Sequence, residues 1–290
     1  MYLVADRMGK VTEEDSLQDR LVEKLYGHTA GRVLLRPLIS PIFSKLGGRA
    51  LDSGISRRWI PAFIRNHSLD MRDFEKKEYV SYNDFFTRRL VSGARRIEEA
   101  PGIFISPCDS RLGVYPVDEN AVFSIKHTTY TVGSLLRNRK LARFFTGGYV
   151  WVFRLAVEDY HRYIFVDDGR VSDSVRIPGV FHTVNPLAND RVPVYKENTR
   201  EYSLLKSANF GTILQMEVGA MLVGKIENRP VEKMVKRGQE KGNFAFGGST
   251  VVLITQPGAV CPDTDVLENS RRGIETRVKQ GERVGFKNQG

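Results

Sequence analysis

The chain has 290 residues, of which 41% are hydrophobic, 27% charged and 10% aromatic: enough apolar material for a real core and too much for a disordered polymer. A formal net charge of +10 favours an anionic partner, either nucleic acid or the surface of an anionic bilayer, and does not choose between them. Two cysteines, Cys108 and Cys261, exclude a disulfide scaffold, and no uncharged apolar run approaches the roughly 20 residues that span a bilayer.

Met1-Tyr-Leu-Val-Ala-Asp does not read as a secretory leader, and residues 1–20 are polar. Between 17 and 46, Leu17, Leu21, Leu25, Val33, Leu34, Leu38 and Ile39 recur at helical spacing, flanked by Lys24, Arg32, Arg36 and Lys45. That pattern suits a helix packed on the core and equally a short amphipathic helix on an anionic membrane. Residues 56–76 read as a further helix with Trp59, Ile60, Phe63 and Ile64 on one face. Asn83 is placed to cap a short helix carrying Phe85, Phe86 and Leu90. Beyond residue 100 short apolar or alternating runs are separated by Gly, Pro, Asp and Asn, as in Ile103–Ile105, Tyr149–Phe153, Ile213–Val218 and Thr250–Ile254. Leu135 to Phe145 is the helix expected within that region. The reading is α+β: a helical N-terminal region over residues 1–98, then a mostly antiparallel β core over 99–290.

Phe244-Ala-Phe-Gly-Gly-Ser-Thr-Val-Val-Leu-Ile places two glycines and a Ser-Thr pair between strand-like runs. On local pattern alone this is a glycine-rich hairpin loop. It also has a chemical reading, because a serine after glycine in a strained turn can attack the open carbonyl before it. The amide becomes an ester, β-elimination breaks the ester, and hydrolysis leaves a pyruvoyl group on the new N-terminus.

Phe246-Gly-Gly-Ser-Thr-Val resembles the self-cleavage motif of the phosphatidylserine decarboxylase family, in its Gly-Gly-Ser-Thr form. Five further segments stand in family order: Tyr82-Asn-Asp-Phe-Phe-Thr-Arg-Arg-Leu, Ser106-Pro-Cys-Asp, Asp159-Tyr-His-Arg-Tyr, Thr183-Val-Asn-Pro and Met216-Glu-Val-Gly-Ala-Met-Leu-Val-Gly. The resemblance runs over nearly the whole chain. It implies a carboxy-lyase that converts phosphatidylserine to phosphatidylethanolamine and CO₂ through a Schiff base on a pyruvoyl cofactor. By the same resemblance Ser249 is the nucleophile and pyruvoyl carrier, Gly248 gives the scissile carbonyl, and the products are residues 1–248 and 249–290. Asp109 matches the acidic member of the processing triad, and His161 matches the histidine of the decarboxylation step.

The chain departs from the family where a second histidine is usual, three positions after the first: here Ile164 stands. Asp-Gly after Ser-Pro is also altered, to Asp109-Ser110. Three explanations compete: His161 serves both steps, His182 supplies the base, or cleavage is slow or absent. His28, His67 and His127 are assigned nothing, no ligand spacing suggests a metal, and Asp167-Asp168-Gly169 reads as a turn. Arg88, Arg89, Arg95 and Arg96 are either a solvated basic face or contacts for lipid phosphates. The implied partners are an anionic phospholipid membrane surface and the chain's own cleaved fragment, not nucleic acid, with a homodimer left open. The implied place is the cytoplasmic side of a bacterial membrane, held peripherally. A same-fold decarboxylase of a soluble amino acid and an uncleaved lipid-binding relative are the alternatives.

Overall fold

The computed structural model describes residues 2–14, 25–26, 37, 39–125, 128–189, 191–220, 225–230, 232–245 and 249–288. Leu17, Leu21, Val33, Leu34 and Leu38, which carry much of the amphipathic reading of 17–46, lie outside them.

In chain order the strands begin with β1 (Tyr2–Ala5), β2 (Val11–Glu14), β3 (Ile103–Ile105), β4 (Ser110–Pro116), β5 (Val122–Ile125), β6 (Thr128–Thr131) and β7 (Tyr149–Leu155). They continue with β8 (Arg162–Ile164), β9 (Gly169–Val171), β10 (Val175–Ile177), β11 (Arg200–Ser207), β12 (Thr212–Gly219) and β13 (Ile226–Asn228). The last are β14 (Met234–Val235), β15 (Glu240–Phe244), β16 (Ser249–Thr255), β17 (Val260–Pro262), β18 (Glu275–Val278) and β19 (Arg283–Lys287). The helices are α1 (Pro41–Asp52), α2 (Ile60–Asn66), α3 (Tyr82–Phe86), α4 (Val132–Leu136), α5 (Arg139–Ala142), α6 (Pro186–Asn189), α7 (Val194–Glu197) and α8 (Thr264–Arg271).

Among the described residues one large sheet runs β14-β9-β11-β12-β16-β7-β4-β18-β1-β2, with β10 also on β11. Its pairs are antiparallel except β1 with β18, so the architecture is α+β with a mainly antiparallel core. Residues 2–14, read from sequence only as polar, supply its edge strands. Smaller sheets are β13-β15-β8, β17-β19-β3 and β5-β6.

The central strands are apolar on both faces because the sheet is buried on both. Side chains alternate along a strand. Val252 and Ile254 of β16 therefore join Val150, Val152, Leu214 and Met216 in one core. Val251 and Leu253 join Trp151, Phe153 and Leu155 in another, which also holds Ile164, Phe165 and Phe244. A third cluster, Ile60, Tyr82, Phe85 and Phe86, packs the N-terminal helices together.

The helix expected over 56–76 is broken into a 3₁₀ turn at Gly54–Trp59, α2, and a second 3₁₀ turn at Met71–Asp73. Pro61 has no N–H to continue a ladder and sits at the start of α2, and Ser68 is left-handed (φ 48°) just after its end. Ser81, not Asn83, caps α3, its Oγ accepting the Asp84 N–H at 3.1 Å, while Asn83 bonds Asp52. The helix expected over 135–145 divides at left-handed Arg137 into α4 and α5, with a 3₁₀ turn following.

Candidate active site

Ser249 opens β16 at the middle of the large sheet, paired with Gly219 of β12 on one side and Leu155 of β7 on the other. It is fully buried, and its Oγ has no hydrogen-bond partner among the described residues. Such a hydroxyl is costly to bury unless something uses it. Strand alternation puts its side chain on the face of Val251 and Leu253, the face covered by Ile164 and Phe244. Gly248, expected to give the scissile carbonyl, lies outside the described residues.

His161 sits on that same side, just before β8. Its carbonyl accepts the Phe244 N–H at 2.9 Å, so it adjoins the end of β15 that leads toward Ser249. Its ring packs on Phe86 with centroids 4.0 Å apart. Nδ1 lies 2.8 Å from the Asp159 carbonyl, which can only accept, so Nδ1 carries the proton and Nε2 the lone pair. Nε2 is buried and without a partner among the described residues. Burial, and then the positive charge of Arg88, push its pKa down to about 3, so the resting ring is neutral. The loop that positions it is tied by Arg111, which donates to Glu158 at 2.6 Å and Asp159 at 2.5 Å.

Asp109 lies in the turn before β4. It accepts from Arg95 at 2.7 Å, Lys279 at 3.3 Å and the Gln280 N–H at 2.8 Å. Burial pushes its carboxyl up, but the Arg95 hydrogen bond and the Lys279 charge outweigh that and hold it below the ordinary value. It is a buried anion held by cations, and no hydrogen bond joins it to a histidine among the described residues. Ile164 donates its N–H to Pro107 at 3.0 Å beside this turn, with its side chain in the core.

His182 is brought near by a residue that sequence reading missed. Asn198 accepts from the His182 N–H at 2.8 Å and donates to the His182 and Gly219 carbonyls at 2.7 and 2.8 Å. Gly219 is the strand neighbour of Ser249. The His182 ring, however, is engaged at both nitrogens, Nδ1 with the Tyr26 hydroxyl at 3.1 Å and Nε2 with Glu197 at 3.3 Å. Tyr26 belongs to the core on the opposite face of β16 from Ser249. Burial lowers the pKa of His182, against the opposing charge of Glu197.

The four arginines separate. Arg89 and Arg96 are exposed, Arg95 is bound to Asp109 and Asp73, and Arg88 is buried. On the face of Ser249, Glu217 of β12 pairs with Lys241 of β15 at 2.6 Å. No local signal in the sequence marks Asn198 or this ion pair, since each is made by strands distant in the chain.

The sequence profile described as phosphatidylserine decarboxylase matches residues 82–286. Phosphatidylserine decarboxylase proenzyme 2 of Clostridium acetobutylicum is 46% identical over 265 residues, covering 91% of each chain. The phosphatidylserine decarboxylase proenzyme of Clostridium novyi is 37% identical over 294 residues, 99% of this chain and 100% of that one. That of Clostridium perfringens is 41% identical over 268 residues, 90% of this chain and 91% of the other. With a profile match over residues 82–286 and relatives of this identity along most of its length, the chain belongs to the phosphatidylserine decarboxylase family and is a carboxy-lyase.

Proposed function

We propose that the chain is a self-cleaving proenzyme that decarboxylates phosphatidylserine with a pyruvoyl group made from Ser249. The observation that carries this reading is the buried Ser249 hydroxyl at the head of a central strand, without a partner among the described residues, as is Nε2 of His161, whose carbonyl accepts the Phe244 N–H. The residues fit the group: a hydroxyl held without a hydrogen bond is not stabilised against reaction, and the neutral imidazole can take its proton. Attack on the residue 248 carbonyl and elimination follow as chemistry of this chain's own atoms. A pyruvoyl group supplies a ketone electron sink for loss of CO₂. His161 then holds a proton for return to the reacting carbon. Nε2 of His161, without a partner among the described residues, set against the two engaged nitrogens of His182, favours His161 as base for both steps.

The fragment 249–290 stays with the rest after the cut, because β16 lies between β12 and β7 and β18 between β4 and β1. The place of action is an anionic membrane surface, on its cytoplasmic side. Phe43, Leu46, Ile55 and Trp59 are 36%, 57%, 71% and 54% exposed on α1 and the turn after it, among exposed Arg49, Arg57 and Arg58. Among the described residues no helix is long and apolar enough to cross a membrane.

Ser249→Ala tests the reading. Intact mass should show two fragments for the parent chain and one for the variant, with CO₂ release from phosphatidylserine lost. Normal CO₂ release by the variant refutes the mechanism.

A further inference from the structure

Arg88 follows α3 and is 2% exposed. Its guanidinium lies over the Phe74 ring at 4.4 Å and near the Phe85 ring at 5.0 Å. One nitrogen, Nη2, reaches the Glu158 carbonyl at 3.1 Å and the Asp159 carbonyl at 3.5 Å. Nε and Nη1, which between them carry three N–H groups, are buried with no acceptor among the described residues. Other buried arginines do not share this state. Arg111 and Arg154 pair with carboxylates. Arg200 donates from all three nitrogens to the carbonyls of Leu135, Lys196, Asn198 and Ser134.

A buried cation with idle donors is destabilising until an anion completes it. The anion would come next to His161, because the Asp159 carbonyl is within reach of both the His161 ring and Arg88. Resting on the decarboxylase reading above, we propose that Arg88 holds the phosphodiester of the phospholipid headgroup on one of its idle nitrogens, Nε or Nη1, and so sets the depth at which the serine moiety lies beside His161.

A phospholipid with a serine head offers two anions, and energetics choose between them. The carboxylate loses its charge as CO₂ departs, so a cation paired with it stabilises the ground state more than the transition state and slows the reaction. The phosphodiester keeps its charge throughout, so pairing there binds without that penalty. A guanidinium, which stays charged when buried and donates at fixed angles, also suits the site better than the mobile point charge of a lysine. The location agrees: Phe85 belongs to the helical cap whose outer surface carries Trp59 and Ile55. A lipid drawn headfirst from that surface leads with its serine, so its phosphate, nearer the chains, comes to rest at the cap. An anion on Arg88 also offsets the positive charge that depresses the basicity of His161.

The test uses the full processed protein with Arg88→Gln and Arg88→Lys, their folding checked by thermal melting. Calorimetry with sn-glycerophosphoglycerol, a phosphodiester with no amine, should show binding to the parent that falls about tenfold or more in Arg88→Gln and less in Arg88→Lys. Inorganic phosphate should bind the parent more weakly than the diester. With dihexanoyl-phosphatidylserine the variants should raise KM more than they change kcat, and with O-octyl-serine, which lacks the phosphate, the KM of parent and variants should agree. A parent that ignores the diester or prefers inorganic phosphate, or an Arg88→Lys variant that binds as the parent does, overturns the assignment. If Arg88→Gln does not fold, the parent titration and Arg88→Lys still decide. Diester binding through Arg88 without CO₂ release from any serine compound would sink the decarboxylase reading and leave the arginine assignment standing.

Discussion

His161 owes its state to what surrounds it. The Asp159 carbonyl fixes the proton on Nδ1, Phe86 covers the ring, and burial with the Arg88 charge keeps the imidazole neutral down to a pKa of about 3. An unfolded histidine ionises near 6.5, so between those values the unfolded chain binds one more proton than the folded one. Stability contributed by neutral His161 is therefore complete above pH 6.5 and is lost as pH falls toward 3. In Ser249→Ala protein, thermal melting from pH 7 to pH 4 should fall more steeply with His161 present than with His161→Asn. Parallel curves would show that the ring is not held neutral. At the same scale His182 differs because its two nitrogens already have partners, which removes the free lone pair a base needs.

The turn between β3 and β4 depends on Asp109 as a joint between elements. Its carboxylate gathers Arg95 from the N-terminal region and Lys279 and Gln280 from the segment between β18 and β19. Asp109→Asn should leave Arg95 with Asp73 as its ion partner among the described residues and cost about 3 kcal/mol, as for removal of one partner of a buried pair. Urea unfolding of that variant in the uncleaved Ser249→Ala background measures it; a shift below about 1 kcal/mol would mean that the charges are solvated rather than buried. A fall in cleavage rate far larger than such a stability loss explains would instead point to direct action on Ser249. Helical periodicity overshot at this scale for a related reason. Apolar spacing continued through Pro61 and Arg137, but a missing N–H and a left-handed φ of 48° broke the ladders there.

Over the whole molecule, the proposed contact with an anionic membrane rests on the basic surplus and on the apolar side chains exposed on one cap. Trp59→Glu should weaken binding to vesicles containing phosphatidylserine by about tenfold, since it removes an interfacial aromatic and adds a repelled charge. Co-sedimentation at two salt concentrations checks this. Binding unchanged by the substitution would move the contact elsewhere on the surface.

The sequence by itself determined the strands and where Ser249 falls among them. Two-residue alternation and runs of β-branched residues are local properties, and Gly-Gly-Ser-Thr is contiguous, so β7, β12 and β16 and the place of Ser249 were all legible from it. Asp109 and the two histidines were legible as residues but not in their circumstances. Only the tertiary structure decided that Ser249 shares a face with the core holding Ile164 and Phe244, that Asp109 is held by Arg95, and that Arg88, indistinguishable in sequence from Arg89, is buried with donors idle among the described residues. Strand order and burial are set by contacts between residues far apart in the chain. The charge, tautomer and reach of a side chain follow from those contacts and not from its neighbours in sequence.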